Sequence, residues 1–280
     1  MEVCTFSLKL AHVSTFVYIL AVKFRGNHHV DLHDVFRGLV VCHILTGAVG
    51  LVYFWGPIAS RKGSEWHRKS GRVFTRCMLL TGAFAVLISA CTIADPLGTH
   101  PHLVEHPEFS RPEFVRAIFG WMMLGFAVLT VNLAWHGWLC VLHKRDRERV
   151  REWRNLWLQA ALLLVSVNCA WQAWHAGVFL MFGMTFIGIA TVVTNLFFLY
   201  RPSPGGMDWL KEHVKALVGA GISVYTAFFA FGAVRTFPEL ALHPGLWAVP
   251  LAVGLTLIIV HHRRIDRQRA NIAASSAAAE

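Results

Sequence analysis

The sequence predicts an all-α fold, a polytopic membrane bundle of about eight transmembrane helices, and three observations predict it. The chain of 280 residues is 55% hydrophobic but only 15% charged, whereas soluble domains carry about a quarter charged residues. Its mean hydropathy is +0.50. Its apolar residues also fall into runs long enough to span a bilayer, which takes about 20 residues of helix.

The runs are residues 4–22, 35–57, 72–94, 115–142, 155–174, 177–200, 214–235 and 246–262. The first is the least apolar, because it holds Lys9 and His12. Together they make one integral membrane domain over 1–270, with candidate halves 1–142 and 155–262. Residues 271–280, small and polar, read as a flexible tail.

Charge orients the bundle. Arg61, Lys62, Arg68, Lys69 and Arg72 lie in the 58–72 connection, and six Lys and Arg between Lys144 and Arg154 in the next. Arg201, Lys211 and Lys215 follow, then Arg263, Arg264, Arg267 and Arg269 in the tail. The intervening connections are poorer in basic residues. This alternation is the positive-inside pattern. It predicts a multi-pass membrane protein with both termini cytoplasmic, which needs an even number of spans. The tryptophans agree. Trp55, Trp66, Trp153, Trp157 and Trp209 fall near the inner ends of runs, and Trp171, Trp174 and Trp247 near the outer ends, where amphipathic rings favour the interface.

The net charge of +10 would suggest nucleic acid in a soluble protein. Here the basic residues sit just outside apolar runs, so the lipid bilayer is the expected partner and nucleic acid is not. The six cysteines form no CxxC pair and lie in or beside apolar runs, which predicts no disulfide framework. The first run has no basic leader and no small-residue cleavage site, so no cleavable signal is expected. No Walker A, dinucleotide or GxSxG sequence occurs.

Residues 65–86, EWHRKSGRVFTRCMLLTGAFAV, and 211–230, KEHVKALVGAGISVYTAFFA, each place a His, His67 or His213, at the start of a helix and a Thr–small–Phe element later. With four spans per half this would be a parallel 4+4 repeat about an axis along the membrane normal. Chance likeness of apolar helices explains the pair equally well.

Sixteen histidines carry the functional reading, because an ionisable residue inside a span is a functional hypothesis in its own right. His43 has Gly47 and Gly50 on its helical face, a slot for a flat ligand or for another helix. His67 has Gly71 on its face and Arg68 and Arg72 beside it, suited to haem propionates or to lipid headgroups. His136 belongs to a stripe of Asn132, His136, Cys140 and His143, and His175 to one of Asn168, Gln172 and His175. Interhelical hydrogen bonds account for both stripes as well as ligation does. His213 is the repeat partner of His67 and would face it near the cytoplasmic surface as a bis-His site. The outer segments hold His28, His29, Asp31, His33 and Asp34, then His100, His102, Glu105 and His106. No spacing among them is specific to one metal, and solvated polar loops are the favoured reading over copper or zinc ligation.

Two resemblances enter on these residues. His43-Ile44 with Gly47, then His67-Arg68 with Gly71-Arg72, then His213 with Thr226-Ala227-Phe228 resemble an uncharacterised family of predicted bacterial polytopic membrane proteins marked by a His-Arg-x-x-Gly-Arg element. That likeness covers about 35–95 and 208–262 and implies fold more than activity. The helix-borne His43 and the His67-Arg68 element also resemble, more narrowly, the transmembrane di-haem cytochromes b, in which four histidines on a four-helix core ligate two haems. This implies haem b as cofactor, with His43 and His67 matching two of the four ligand positions and the other two to come from His136, His175 or His213. The iron ligands favoured on all these residues are His43, His67 and His213, with His136 and His175 in reserve and Arg68 and Arg72 near the propionates. The spacing of the later histidines departs from that family's pattern. The expected function is therefore electron transfer through a b-type haem between a quinol or other reductant and an acceptor, a membrane oxidoreductase activity. The alternatives are an accessory subunit of a larger membrane complex, with other subunits as partners, and a metal or small-solute transporter.

Overall fold

A computed structural model describes residues 32–103, 105, 111–203, 205–232 and 243–277. Among them the fold is all-helical, with no strand. Seven helices are long and apolar enough to cross a membrane: α1 (Leu32–Ala59), α2 (Glu65–Ala94), α3 (Pro112–His143), α4 (Trp153–Ala176), α5 (Leu180–Tyr200), α6 (Asp208–Gly232) and α7 (Gly245–Ala277). They correspond to the second to eighth runs read from the sequence. The first run, 4–22, lies outside the described residues. Residues 271–277 of the segment read as a tail continue the last helix.

Local chemistry sets the helix ends. Ser64 caps α2, its hydroxyl accepting from the His67 amide at 3.2 Å, which satisfies one of the four unpaired amides of a helix start. Pro112 opens α3 at its first turn, where its missing N–H costs nothing. Gly177 closes α4 in the left-handed region, φ 71°, a conformation that glycine adopts without Cβ strain. The arginines of the basic 143–154 connection close α5. Arg147 donates to the carbonyls of Phe198 (3.0 Å) and Arg201 (2.7 Å), and Arg151 to that of Leu199 (3.0 Å). Charge at this end is thus also helix capping, since cations favour the negative end of the helix dipole.

The centre of the bundle is α3, the most buried of the seven. It packs against α2 on one side, α4 on another and α6 on a third, while α1 lies along α2, α5 along α4 and α7 along α6. Met78, Ile118, Met122, Leu162 and Met181 are fully buried in the resulting core. Large apolar side chains also point outward, among them Ile44, Leu45, Val52, Leu164, Phe186, Val193 and Phe197. So broad an outward apolar surface is a lipid-facing one. Exposed tryptophans fall at both ends of it: Trp66, Trp153 and Trp157 near the basic connections, Trp171 and Trp174 at the other end.

Glycines bring the helices close. A Cβ on Gly50 would fall 2.2 Å from the Met78 methyl, and one on Gly221 2.2 Å from the Phe54 ring. Hence α1 can meet both α2 and α6.

Candidate functional site

Two groups of side chains at the basic end of the bundle carry chemistry. The first is a set of histidines. His67, in the first turn of α2, donates its Nδ1–H to the Pro57 carbonyl at 3.2 Å. That carbonyl belongs to the last turn of α1, which has no amide of its own to receive, and it also accepts from Lys62 Nζ at 2.7 Å. His213, in the second turn of α6, donates Nδ1–H to the Gly137 carbonyl of α3 at 3.0 Å. His67 and His213 lie within electrostatic reach of each other, as do His67 and His261 of α7. Both ring nitrogens of His261 are buried without a protein partner. A bond from Nδ1–H to a carbonyl fixes the tautomer and leaves Nε2 as the lone-pair nitrogen, which is how ligand histidines are commonly held. Lys62 and Arg264 add positive charge here. Burial, and then the charge of Arg264, hold the Lys62 ammonium below its ordinary pKa.

The other histidines read from the sequence are placed differently. His43 donates Nδ1–H to the Thr81 carbonyl at 3.0 Å, and Thr81 Oγ1 donates to Thr46 Oγ1 at 2.9 Å. The side chains of Thr81 and Met78 occupy the space over Gly47 and Gly50, so the glycine face of His43 is an α1–α2 packing face. His175 is exposed, bonded to the Trp171 carbonyl of its own helix at 2.9 Å with their rings 4.2 Å apart. Arg68 and Arg72 are exposed and bonded to the carbonyls of Gly63 and Arg68. At the other end of the bundle, His33 in the first turn of α1 reaches the Gly98 carbonyl at 3.0 Å. The His100 ring packs between Phe36 and Phe119. Burial, then the charge of His102, push the His100 pKa down to about 4. Among the described residues no three His, Cys, Asp or Glu side chains converge to hold a metal ion.

The second group is a closed ring of hydrogen bonds through the four helices α3, α4, α5 and α6. Lys215 Nζ donates to Asn195 Oδ1 at 3.0 Å. Asn195 Nδ2 donates to Gln159 Oε1 at 3.3 Å, and Gln159 Nε2 to Asn155 Oδ1 at 3.2 Å. Asn155 Nδ2 donates to His136 Nδ1 at 3.1 Å, and His136 Nε2 to Glu212 Oε1 at 3.1 Å. Lys215 Nζ closes the ring on the same carboxylate oxygen at 2.5 Å. The sense of donation follows from the groups. Lysine only donates, a carboxylate only accepts, and Asn155 Nδ2 is pinned by a second bond to the Val150 carbonyl at 2.8 Å. His136 therefore accepts at Nδ1, carries its proton on Nε2, and has no nitrogen free for a metal. Asn132 joins from α3, accepting from Asn195 Nδ2 at 3.2 Å, while its own Nδ2 is buried without a partner.

The sequence pointed to Asn132 and His136 but not to Asn155, Gln159, Asn195, Glu212 or Lys215. The available signals were the i, i+4 amide pair Asn155/Gln159, the lone Asn195 in an apolar run, and a carboxylate placed three residues before a lysine. No family model matches this chain, and neither a curated protein nor a solved structure is similar to it at a significant level.

Proposed function

We propose that the protein is a b-type haem membrane protein that passes electrons between a quinol or another reductant and an acceptor, with His67 and His213 as the axial pair. The observation that carries this reading is the shared posture of the two rings. They are 146 residues apart in sequence, lie within electrostatic reach of each other at the basic end of the bundle, and each commits Nδ1–H to a carbonyl of a neighbouring helix. The donor set fits the group: two imidazoles with Nε2 left over, a third imidazole at His261 with no partner, and basic residues nearby. A haem bound there would supply one-electron chemistry at its iron. The chain's own part is to fix the tautomers through Pro57 and Gly137 and to offset propionate charge with Lys62, Arg264, Arg68 and Arg72. The basic connections face the cytoplasm of a bacterial inner membrane in this reading, so the pair lies at the cytoplasmic end. An eighth span over 4–22 returns the N-terminus to that side, and His67 and His213 are then equivalent positions of a 4+4 repeat.

The test is a visible spectrum of the detergent-purified protein, oxidised and then dithionite-reduced. A sharp Soret band with α and β bands on reduction is expected, lost in His67→Ala and in His213→Ala but kept in His43→Ala and His175→Ala. A flat spectrum with a negative pyridine-haemochrome assay, after expression with haem supplied, overturns it.

A second reading, a metal or small-solute transporter, is favoured by the ionisable ring in the bundle core, since such groups often line a path. Uptake into liposomes that is lost in Glu212→Gln would support it.

A further inference from the structure

At the basic end of the bundle the connection after α3, the end of α5 and the start of α6 enclose a cleft of about 80 Å³. That is several times the room one water needs. Phe198 of α5 gives it an apolar wall, and Gly205 and Gly206 offer bare backbone. Lys144, Arg145 and Arg147 supply charge, and no acid lines it. Cations gathered round one hollow repel one another unless an anion lies between them.

The positive-inside pattern accounts for basic residues on this side, but not for how these are held. Arg145 commits Nε to the Gly206 carbonyl at 3.2 Å, which leaves the two terminal nitrogens of its fork over. Arg147 commits Nη1 to the end of α5. Among the described residues neither the Lys144 ammonium nor the indole N–H of Trp209, which also lines the cleft, has a hydrogen-bond partner. Lys144 sits at φ 51°, a region that favours glycine, so its placement here carries backbone strain. The nearby carboxylate is taken: Asp208 accepts from Arg201 and from the Gly205 amide. No side chain caps the start of α6. From α7, Arg269 Nη1 comes within 2.7 Å of where a Cβ on Gly205 would stand, and a Cβ on Gly206 would lie 3.3 Å from Arg145 Nη2. The backbone is bare where the cations crowd in.

A guanidinium fork, an ammonium and an indole N–H converging from different directions suit a tetrahedral anion. A phosphate turns an oxygen to each donor, whereas a carboxylate has only one plane. We propose that this cleft binds the phosphate of a phosphate ester, with Arg145, Lys144 and Trp209 as its donors. The amphipathic Trp209 ring and the lipid-facing Val193 and Phe197 of α5 favour an anionic phospholipid over a soluble ester as the source. The site uses no residue of the haem reading and stands without it.

The full chain is tested in two arms. Native mass spectrometry after release from nanodiscs of mixed phosphatidylglycerol and phosphatidylcholine reads which lipid stays bound. Phosphatidylglycerol is expected to be retained, and Lys144→Gln combined with Arg145→Gln should lower its retention about tenfold or more. Both side chains are exposed, so the variant keeps its fold. Calorimetry in detergent with glycerol phosphate and inorganic phosphate reads the soluble anions. Binding there that the same variant abolishes, without lipid selection, assigns the site to a soluble phosphate ester. Arg263→Gln combined with Arg267→Gln removes two exposed charges of α7 and should leave either binding unchanged. Binding of neither kind of probe, binding that survives the loss of Lys144 and Arg145, or an equal loss in the two variants overturns the proposal.

Discussion

His213 gives its Nδ1–H to the Gly137 carbonyl at 3.0 Å, and that bond depends on how closely α6 approaches α3. The approach is possible because residue 137 has no side chain. A Cβ there would lie 2.9 Å from a Leu217 methyl and 3.0 Å from the Ala216 Cβ. Gly137→Val should therefore push α6 outward and cost about 1–3 kcal/mol by overpacking. It should also lengthen the His213 bond and blur the tautomer. Thermal unfolding in detergent measures the first effect. The 15N shifts of His213, which separate the two tautomers, measure the second. Unchanged values for both would show that the contact is slack.

The ring makes a sharper prediction at Asn155, which touches three partners: the Val150 carbonyl, His136 Nδ1 and Gln159 Nε2. Asn155→Leu keeps the branched shape and strands all three. Each stranded buried group costs about 1–3 kcal/mol, so the loss should exceed that of deleting a single bond. Asn155→Ala should be rescued in part by water, Asn155→Leu should not. Equal stability of the wild type and Asn155→Leu in a denaturant titration would show that the ring holds nothing together.

The sequence reading located seven described spans because runs such as 35–57 and 177–200 need only composition to be seen. The basic connections were equally visible, but the capping of α5 by Arg147 and Arg151 was not, since it joins residues about 50 apart. His43 shows why a motif can mislead. Its i+4 and i+7 glycines suit a flat ligand and a facing helix equally well, and only the position of Thr81 and Met78 decides between them. The ring was hidden for a different reason. Its members sit on four helices, no two of those helices contribute a recognisable spacing together, and Glu212 beside Lys215 looks like any exposed helix pair until α3 is laid against it. The pairing of His67 with His213 rests in the sequence on likeness of context alone; the structure adds that each ring is held by a carbonyl of another helix.

Close packing of α1 against α6 offers a test of a longer-range contact. The Phe54 ring lies over Gly221, within 2.2 Å of where a Cβ would stand, and Phe54 also meets Phe74 and Tyr225 edge to face or tilted at 5.5 and 5.6 Å. Gly221→Ala should cost about 1–3 kcal/mol, and Phe54→Leu a comparable amount by loss of volume. The double variant should lose less than the sum, because the smaller ring space accepts the new methyl. Strict additivity of the two unfolding free energies would place α1 and α6 further apart than described.

Acid should loosen the other end of the bundle through His100. Burial among Phe36 and Phe119, with His102 nearby, pushes its pKa down to about 4, against about 6.5 for an unfolded histidine. Between those values the unfolded chain binds the proton and the folded chain does not, so stability rises with pH through that window and is complete above it. Going from pH 7 down to pH 5 should remove up to about 2 kcal/mol at this site. His100→Gln removes the titrating group and should flatten the acid limb of a plot of thermal midpoint against pH in this window. An acid limb of the same slope in the wild type and in His100→Gln would mean that the ring is already solvated in the folded protein, and that its contacts with Phe36 and Phe119 do not exclude water.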